Sequence, residues 1–301
     1  GQRGYSPAEG ALTLSTPNLL TPSYQGIDYF DATLYEGNGD NQRVGDFVPF
    51  TDTYTVDNSA MWNSADLRRL SITYSSQPAA TSDNSSDAAV YRKASLSFWI
   101  KFLDYPDSST NHQVVISQAN SAQNNRFFYI IDNPQSTNSV LVGINSTAGT
   151  DGAFYFDKNL FSGQEWSHFL LHLDTNNATA ADRMKVWING NAVTSTNDYT
   201  GMTQGLPLNL FQDEELLVGH LAPTSAGYTA NYNFNSYLAE FHLIDGSCQA
   251  VTNFGQVDTS TNRWVPKDYK TNVGTYGNRG FYLEFDGTPG ASTGSNMGKD
   301  S

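Results

Sequence analysis

Two histidines in the middle of the chain are the first residues to consider for chemistry. His168 and His172 lie in a segment in which apolar and polar residues alternate, so a β-strand places both on one face, together with Trp166 and Asp174. Imidazole nitrogens on one face could bind Zn²⁺ or accept a proton as a general base. No third ligand of a suitable type is evident, so ordinary polar strand positions are the favoured interpretation.

Pairs of carboxylates are the second candidate, because glycoside hydrolysis needs one carboxyl group as the acid and another as the nucleophile or base. Glu240 and Asp245 are five residues apart, so a regular strand directs them to opposite faces. Glu284 and Asp286 share a face and are interpreted as polar residues on the solvent side of a last strand. The chain also lacks the His-Glu-x-x-His, phosphate-loop and dinucleotide-binding motifs. We therefore expect no catalytic site.

Residues 223–237 are the strongest candidate for the recognition of sugars. Aromatic rings can stack on the apolar face of a pyranose, and side-chain amides can bond its hydroxyl groups. The segment interleaves aromatic residues with asparagines: Tyr228, Asn231, Tyr232, Asn233, Phe234 and Asn235. A second interpretation remains open, since the same rings could anchor a long loop or pack against a neighbouring subunit. Trp99 and Trp187 add an outward-facing pair that either lines a concave surface or is covered by the N-terminal residues.

The elements that must position these side chains are β-strands. Alternation with a period of two predicts strands at 95–102, 127–131, 140–144, 166–174, 184–189, 237–244 and 281–285, separated by turns rich in Asn, Gly, Ser and Asp. Asn189-Gly190 suits a type I′ turn, which predicts a hairpin over residues 184–193. Only 178–183 and 213–216 could form single helical turns. The predicted fold class is all-β, with two antiparallel sheets packed face to face as a sandwich.

Composition excludes several classes of protein. The 301 residues carry a formal net charge of −14, and no basic run offsets it, so nucleic acid is not an expected partner. No apolar run approaches the roughly 18 residues of a membrane span, so membrane insertion is not expected. The single Cys248 could form only an intermolecular disulfide. With 15% charged and 13% aromatic residues, the chain is typical of β-rich extracellular or virion-surface proteins.

The amino-acid composition of the sequence changes towards both ends. Residues 1–50 include a segment broken by Pro17 and Pro22, and they are predicted to form an extended arm that packs on the sandwich or on a neighbouring subunit. Residues 51–289 are predicted to form the sandwich domain. Residues 290–301 are rich in Gly, Ser and Thr and predict a linker that could lead to a further domain.

Several motifs resemble the laminin-G-like, or concanavalin A-like, jelly-roll family. They are the segments 96–101, 165–169, 185–190 and 237–246, in that order and spacing, and the similarity covers about residues 53–286. The segments 264–267 and 274–283 further resemble the tail of such domains in structural proteins of marine bacteriophages and algal viruses. The resemblance implies a two-sheet jelly roll in which Trp166 caps the space between the sheets, and the residues that fill this space are Phe169, Leu171 and Leu173.

The same resemblance bears on ligands. Related jelly rolls often hold Ca²⁺ at the rim through a carboxylate and carbonyl oxygens, and the candidates here are Asp174 with Asn176, the loop 83–87, and residues 40–41. Several hydrolase families share the fold, but where they place their second glutamate this chain has Thr and Pro, at positions 288–289. The resemblance therefore allows bound calcium and argues against hydrolysis.

The absence of catalytic groups and the acidic, Asn-rich exterior predict a non-catalytic virion surface or fibre module. Its expected partners are other virion subunits in a homo-oligomer and a host-surface glycan. Two alternatives from other classes remain, namely a secreted glycan-active enzyme or its carbohydrate-binding domain, and a cellular surface adhesin or filament subunit. All of them imply a location on a virion surface or in the extracellular space.

Overall fold

The computed structural model describes residues 54–62, 69–74, 91–103, 113–119, 126–131, 139–146, 149–161, 165–195, 202–221, 234–259 and 261–286. Contacts divide the chain into two units, Gly1–Thr55 and Val56–Ser301, and nearly all described residues belong to the second. The predicted arm (1–50) and the predicted linker (290–301) lie outside the described residues, so the domain boundaries stay predictions.

Strands dominate the described part of the chain. They are β1 (Ala60–Met61), β2 (Leu70–Thr73), β3 (Lys93–Phe102), β4 (Gln113–Ala119), β5 (Arg126–Ile131), β6 (Ser139–Ser146), β7 (Gly149–Asp157), β8 (Ser167–Asp174), β9 (Met184–Ile188), β10 (Asn191–Val193), β11 (Glu215–Val218), β12 (Ser236–Asp245), β13 (Gly255–Asp258), β14 (Arg263–Pro266) and β15 (Phe281–Leu283). Among the described residues, helical structure is limited to α1 (Tyr269–Asn272) and to 3₁₀ turns at Lys158–Leu160, Ala180–Asp182 and Val251–Asn253. Among these residues, no helix has the length and apolar character needed to cross a membrane.

The strands form two antiparallel sheets and a separate hairpin. The first sheet has the order β1-β12-β3-β8-β9-β10, with β15 also pairing with β12. The second sheet has the order β2-β11-β4-β5-β6-β7, and β13 pairs with β14 alone. Chain neighbours such as β1 and β2, β3 and β4, and β11 and β12 lie in different sheets, as in a jelly roll. The prediction of an all-β, two-sheet antiparallel sandwich is confirmed.

The core between the sheets consists of the inward-facing half of each alternating strand. On β3 these residues are Leu96, Phe98, Ile100 and Phe102, each at most 4% exposed. The ring of Phe98 stacks on Phe169 of β8 at 5.0 Å, and Phe156 of the second sheet lies 6.2 Å from Phe169. Each such side chain contributes roughly 1.5 to 3 kcal/mol by leaving water. This packing confirms that Phe169, Leu171 and Leu173 fill the space between the sheets.

The local predictions succeed where the signal is a turn or a strict alternation. Asn189 and Gly190 have φ values of 48° and 80°, and Ile188 pairs with Asn191, so the predicted hairpin forms. The helical turn predicted over residues 178–183 is present as the 3₁₀ turn Ala180–Asp182. The one predicted over 213–216 is wrong, because Glu215–Val218 is strand β11, whose edges bond to β2 and β4.

A third layer packs on part of the outer face of the first sheet. It consists of residues 247–280, which include β13, β14 and α1, and we call it the C-terminal cover. Phe254 and Tyr269 of the cover form a second buried cluster with Leu170 of β8 and Ile244 of β12. The described residues that cover this face are therefore C-terminal, whereas the sequence had suggested the N-terminal residues as one option. This layer decides which outward-facing side chains reach solvent.

Candidate functional site

His168 lies beneath the C-terminal cover, enclosed by hydrogen-bonding partners. It is 0% exposed, its Nε2 is 2.9 Å from the Oγ of Ser97, and its Nδ1 is 3.1 Å from the Nε1 of Trp264. An indole nitrogen only donates, so Nδ1 accepts from Trp264. The neutral ring then carries its hydrogen on Nε2 and donates it to Ser97. Both nitrogens of His168 are thus engaged inside the protein.

The electrostatics of the two histidines follow from this packing. Burial, and to a smaller extent the charge on His242, lowers the pKa of His168 to about 3, so the ring is neutral near pH 7. Burial is also the main reason that the pKa of His172 is lowered. The ring of His172 lies 4.4 Å from that of Trp187, and one of its nitrogens contacts the carbonyl of Gln249. His168 is fully buried, whereas the ring of His172 is only partly buried.

Glu240 anchors a second buried polar group beneath the same cover. The pairing of β12 with β3 shifts between Ala239 and His242, and Glu240 adopts a φ of 48°, which is rare for a residue with a side chain. This β-bulge directs the carboxyl group to β15, where the hydroxyl of Tyr282 donates to Oε1 at 2.6 Å. Oε2 lies 3.6 Å from the Nε2 of His242, whose ring stacks on Tyr282 at 4.5 Å. The hydroxyl of Tyr276 lies 3.1 Å from the Nδ1 of His242.

The cluster of Glu240, His242 and Tyr282 contains residue types that are common in acid–base sites. Unlike such sites, it is buried away from solvent. The three residues are 5%, 2% and 2% exposed, and they contact one another and the cover. A strained backbone with a buried carboxylate is often found at functional sites, but it also serves to fasten one element to another. Here it fastens β12 to β15 and to the cover.

The other carboxylates considered in the sequence have separate structural partners. The Oδ2 of Asp245 accepts from the backbone N–H of Arg279 at 3.2 Å, so Asp245 does not pair with Glu240. Strand β15 ends before Glu284, and Phe285 has a φ of 61°, so the alternation that put Glu284 and Asp286 on one face does not extend to them.

The predicted calcium pair, Asp174 and Asn176, stays a prediction, and two of its oxygen atoms already have partners in the protein. The Oδ2 of Asp174 lies 3.4 Å from the ammonium nitrogen of Lys93, which repels a second cation. The Oδ1 is buried without a hydrogen-bond partner, and the carbonyl of Asn176 already accepts from Gln204. Calcium takes about six to eight oxygen ligands. The described residues contain no group of three or more His, Cys, Asp or Glu side chains that could hold a metal ion.

The predicted glycan segment is described only at its C-terminal end. Tyr228, Asn231, Tyr232 and Asn233 lie outside the described residues. Phe234 is 1% exposed and its ring packs against Trp62 at 5.7 Å, so it faces the core rather than a sugar. The backbone of Asn235 donates to the side chain of Gln113. Phe234 therefore acts as an anchor, which is the alternative that the sequence left open.

One row of side chains on the outer face of the first sheet is partly exposed. Tyr237 of β12 pairs with Met61 of β1 on one side and with Lys101 of β3 on the other, and the register of β3 with β8 places Trp166 next to Lys101. The ring centroids of Trp166 and Tyr237 are 6.3 Å apart. Met61 is 53% exposed and the other three are half-buried. We call these four residues the outer strip.

The outer strip corrects one expectation and adds residues that the sequence did not single out. Trp166 does not cap the space between the sheets, because its ring meets Tyr237 on the opposite, outer face. The signal for this placement was present, since Trp166 has the same parity as His168. The partnership with Tyr237 and Lys101 depends on the order of strands β12, β3 and β8, which alternation alone does not reveal.

Comparison with known proteins gives likenesses of fold. No protein-family model matches the chain, and no curated protein matches it in sequence. Among solved structures it is similar to the binding domain of botulinum neurotoxin serotype D, with 16% identity, a TM-score of 0.40, and coverage of 70% of this chain and 43% of the toxin chain. The laminin α1 chain of mouse, domains LG4-5, follows with 14% identity, a TM-score of 0.36, and coverage of 61% and 44%.

A third similar structure is the CBM40 of a Ruminococcus gnavus sialidase, bound to α2,3-sialyllactose. The identity is 12%, the TM-score is 0.36, and the match covers 57% of this chain and 90% of that one. The chain spans less than half the length of the toxin and laminin chains. The jelly-roll-like sandwich itself is established by this chain's own strand order.

Proposed function

We propose that this chain is a non-catalytic module of a virion surface or of another extracellular assembly, which makes assembly contacts and binds glycans. The observation that carries the non-catalytic part is the enclosure of His168, whose two ring nitrogens bond to Ser97 and Trp264. Glu240 is held in the same way by Tyr282. The residue types that could perform acid–base chemistry are thus used to join the first sheet to its cover.

The proposal of glycan binding is supported by the described residues at the two ends of the segment 223–237. Leu221 is 8% exposed at the end of the second sheet, and Phe234 is 1% exposed where the chain enters the first sheet. The backbone N–H of Phe234 bonds to the carbonyl of Gly219 at 3.3 Å. Both ends of the segment are therefore fixed to the sandwich. Residues that recognise a ligand are positioned more precisely when a rigid scaffold supports them. Tyr228 and Tyr232 are the proposed stacking residues.

A glycan array probed with the purified full chain tests the binding part. We expect retention of at least one class of glycan, and a loss of at least tenfold in affinity for the double variant Tyr228→Ala, Tyr232→Ala. The matched control is Leu160→Ala, at a side chain that is 47% exposed on the 3₁₀ turn after β7. An array that retains no glycan rejects this part of the proposal.

A reducing-sugar assay on the polysaccharides of the retained class tests the non-catalytic part. We expect no release of sugar above the buffer control. Release that is abolished by Glu284→Gln, while Asp286→Asn keeps it, would reject the proposal in favour of a glycan-active enzyme.

Assembly and location need a separate measurement. We expect the full chain to form a homo-oligomer by light scattering, and deletion of residues 1–50 to leave a folded monomer. Antibodies against the sandwich should label intact particles or the outside of cells. A monomeric full chain that is found only inside cells would contradict this part.

A further inference from the structure

We propose that the outer strip, Met61, Tyr237, Lys101 and Trp166, is a saccharide-binding surface on which a pyranose ring stacks on Trp166 and contacts the edge of Tyr237, whose ring is inclined at 57° to that of Trp166, while Lys101 donates to the oxygens of the sugar. The inference rests on the proposed glycan-binding function and deepens it. It assigns contact residues on rigid strands, separate from the segment 223–233.

The first argument is the arrangement of the two rings. Trp166 and Tyr237 come from either side of β3, yet their ring centroids approach to 6.3 Å across the strand that carries Lys101. Neighbouring strands are about 4.8 Å apart, so the four strands from β8 to β1 give a strip roughly 14 Å long. Such a strip is longer than a single sugar ring. Aromatic rings on strands lose little conformational freedom when a ligand stacks on them.

The second argument is the contrast with the adjacent row of the same face. That row contains Ala239, Trp99 and His168, which are at most 3% exposed and lie beside Trp264 of the C-terminal cover. Met61, and to a smaller extent Tyr237 and Trp166, thus reach solvent beside a row that is fully buried.

The third argument is the polar chemistry at the centre of the strip. An ammonium group has three donors and no acceptor, so it suits the hydroxyl or carboxylate oxygens of a sugar. Arg263 lies beside the strip through its contact with Glu165, at 4.0 Å, and both side chains are more than half exposed. The charge of Arg263 is offset by Glu165, so the cation that the strip itself offers to acceptor-rich ligands is Lys101.

A protein partner is the less favoured occupant of this surface. Stable protein interfaces bury about 800 Å² on each side and involve roughly 20 to 30 residues. The outer strip has four residues, of which only Met61 is more than half exposed. Small ligands, by contrast, are held by a few aromatic and polar groups. The size of the strip therefore favours a saccharide.

The test compares variants of the strip with the loop variant described above, using the glycan retained on the array. We expect Trp166→Ala and Tyr237→Ala each to weaken binding at least tenfold by calorimetry, Lys101→Met to weaken it severalfold, and Trp166→Phe to restore most of the loss. The indole N–H signal of Trp166 should shift on titration with the sugar, which keeps the test valid if an alanine variant fails to fold. Leu160→Ala is again the control.

The possible outcomes separate the two proposals. Strip variants that bind within twofold of the parent chain, while the loop variant does not, overturn the strip and leave the glycan-binding function in place. A chain that retains no glycan overturns both. If Trp166→Ala abolishes self-association and leaves sugar binding unchanged, the strip is a contact between copies of the chain and the saccharide assignment is refuted.

Discussion

Acidification should destabilise this protein through His168. The folded-state pKa of His168 is lowered to about 3 by burial, whereas an exposed histidine titrates near 6.5. Below pH 6.5 the unfolded chain takes up a proton at this position and the folded chain does not. The contribution of His168 is therefore fully present above pH 6.5, and it is lost progressively as the pH falls from 6.5 towards 3.

The size of the effect follows from the same two pKa values. Between pH 7.5 and pH 5, protonation of the unfolded chain at His168 should lower the free energy of unfolding by about 2 kcal/mol, with a limiting slope of about 1.4 kcal/mol per pH unit. Urea titrations at half-unit intervals of pH measure this directly. The control is His168→Gln, which keeps a hydrogen-bond donor and acceptor but does not titrate. Other titrating groups are common to both proteins and cancel in the difference.

The result that would refute this reasoning is an equal pH dependence in the two proteins. A second readout does not depend on the variant, because the imidazole signals of His168 should stay unchanged in NMR spectra from pH 8 to about pH 4.5. A transition near pH 6.5 would mean that the ring is accessible to water, and the enclosure by Ser97 and Trp264 would then be wrong.

Three further predictions concern single side chains. Leu171→Asp, at a residue that is 1% exposed, should abolish the cooperative thermal transition, because it places a carboxyl group without a partner between the sheets, whereas Leu160→Asp at the surface should not. Tyr282→Phe should cost about 1 to 3 kcal/mol in urea unfolding, because the carboxylate of Glu240 loses its hydroxyl donor, and it should be non-additive with Glu240→Gln. The pKa of the Cys248 thiol is raised to about 12, mainly by burial. The thiol should therefore react with iodoacetamide at pH 8 far more slowly in the folded protein than in urea. Equal reaction rates in the two conditions would contradict the burial of Cys248.

The sandwich was predictable because its signals are local. Alternation over 95–102 and the Asn189-Gly190 turn depend on neighbouring residues alone, and both predict the structure correctly. The last strand shows the limit of this approach. The alternation of 281–285 continues past Leu283, which is the last residue of β15 and pairs with Phe241 of β12, so the strand ends earlier than predicted.

The candidate site was less predictable because its geometry is made by distant parts of the chain. His168 and His172 were correctly placed on one face, but the residue that occupies Nδ1 of His168 is Trp264, 96 positions away. Likewise, no local sequence pattern predicts the β-bulge that directs the side chain of Glu240 towards Tyr282. The face on which a side chain lies can be predicted by counting residues along its strand. The residues that cover that face cannot be predicted in this way, because they come from distant parts of the chain.

The C-terminal cover also has a consequence for synthesis. Strands β3 and β8 leave the ribosome long before residues 247–280 have been translated, so the nascent domain displays Trp99 and Leu170, which are 3% and 0% exposed in the finished fold. A chaperone that shields apolar surface would be needed during that interval. Premature termination before residue 247 should leave an aggregation-prone fragment rather than a smaller working protein.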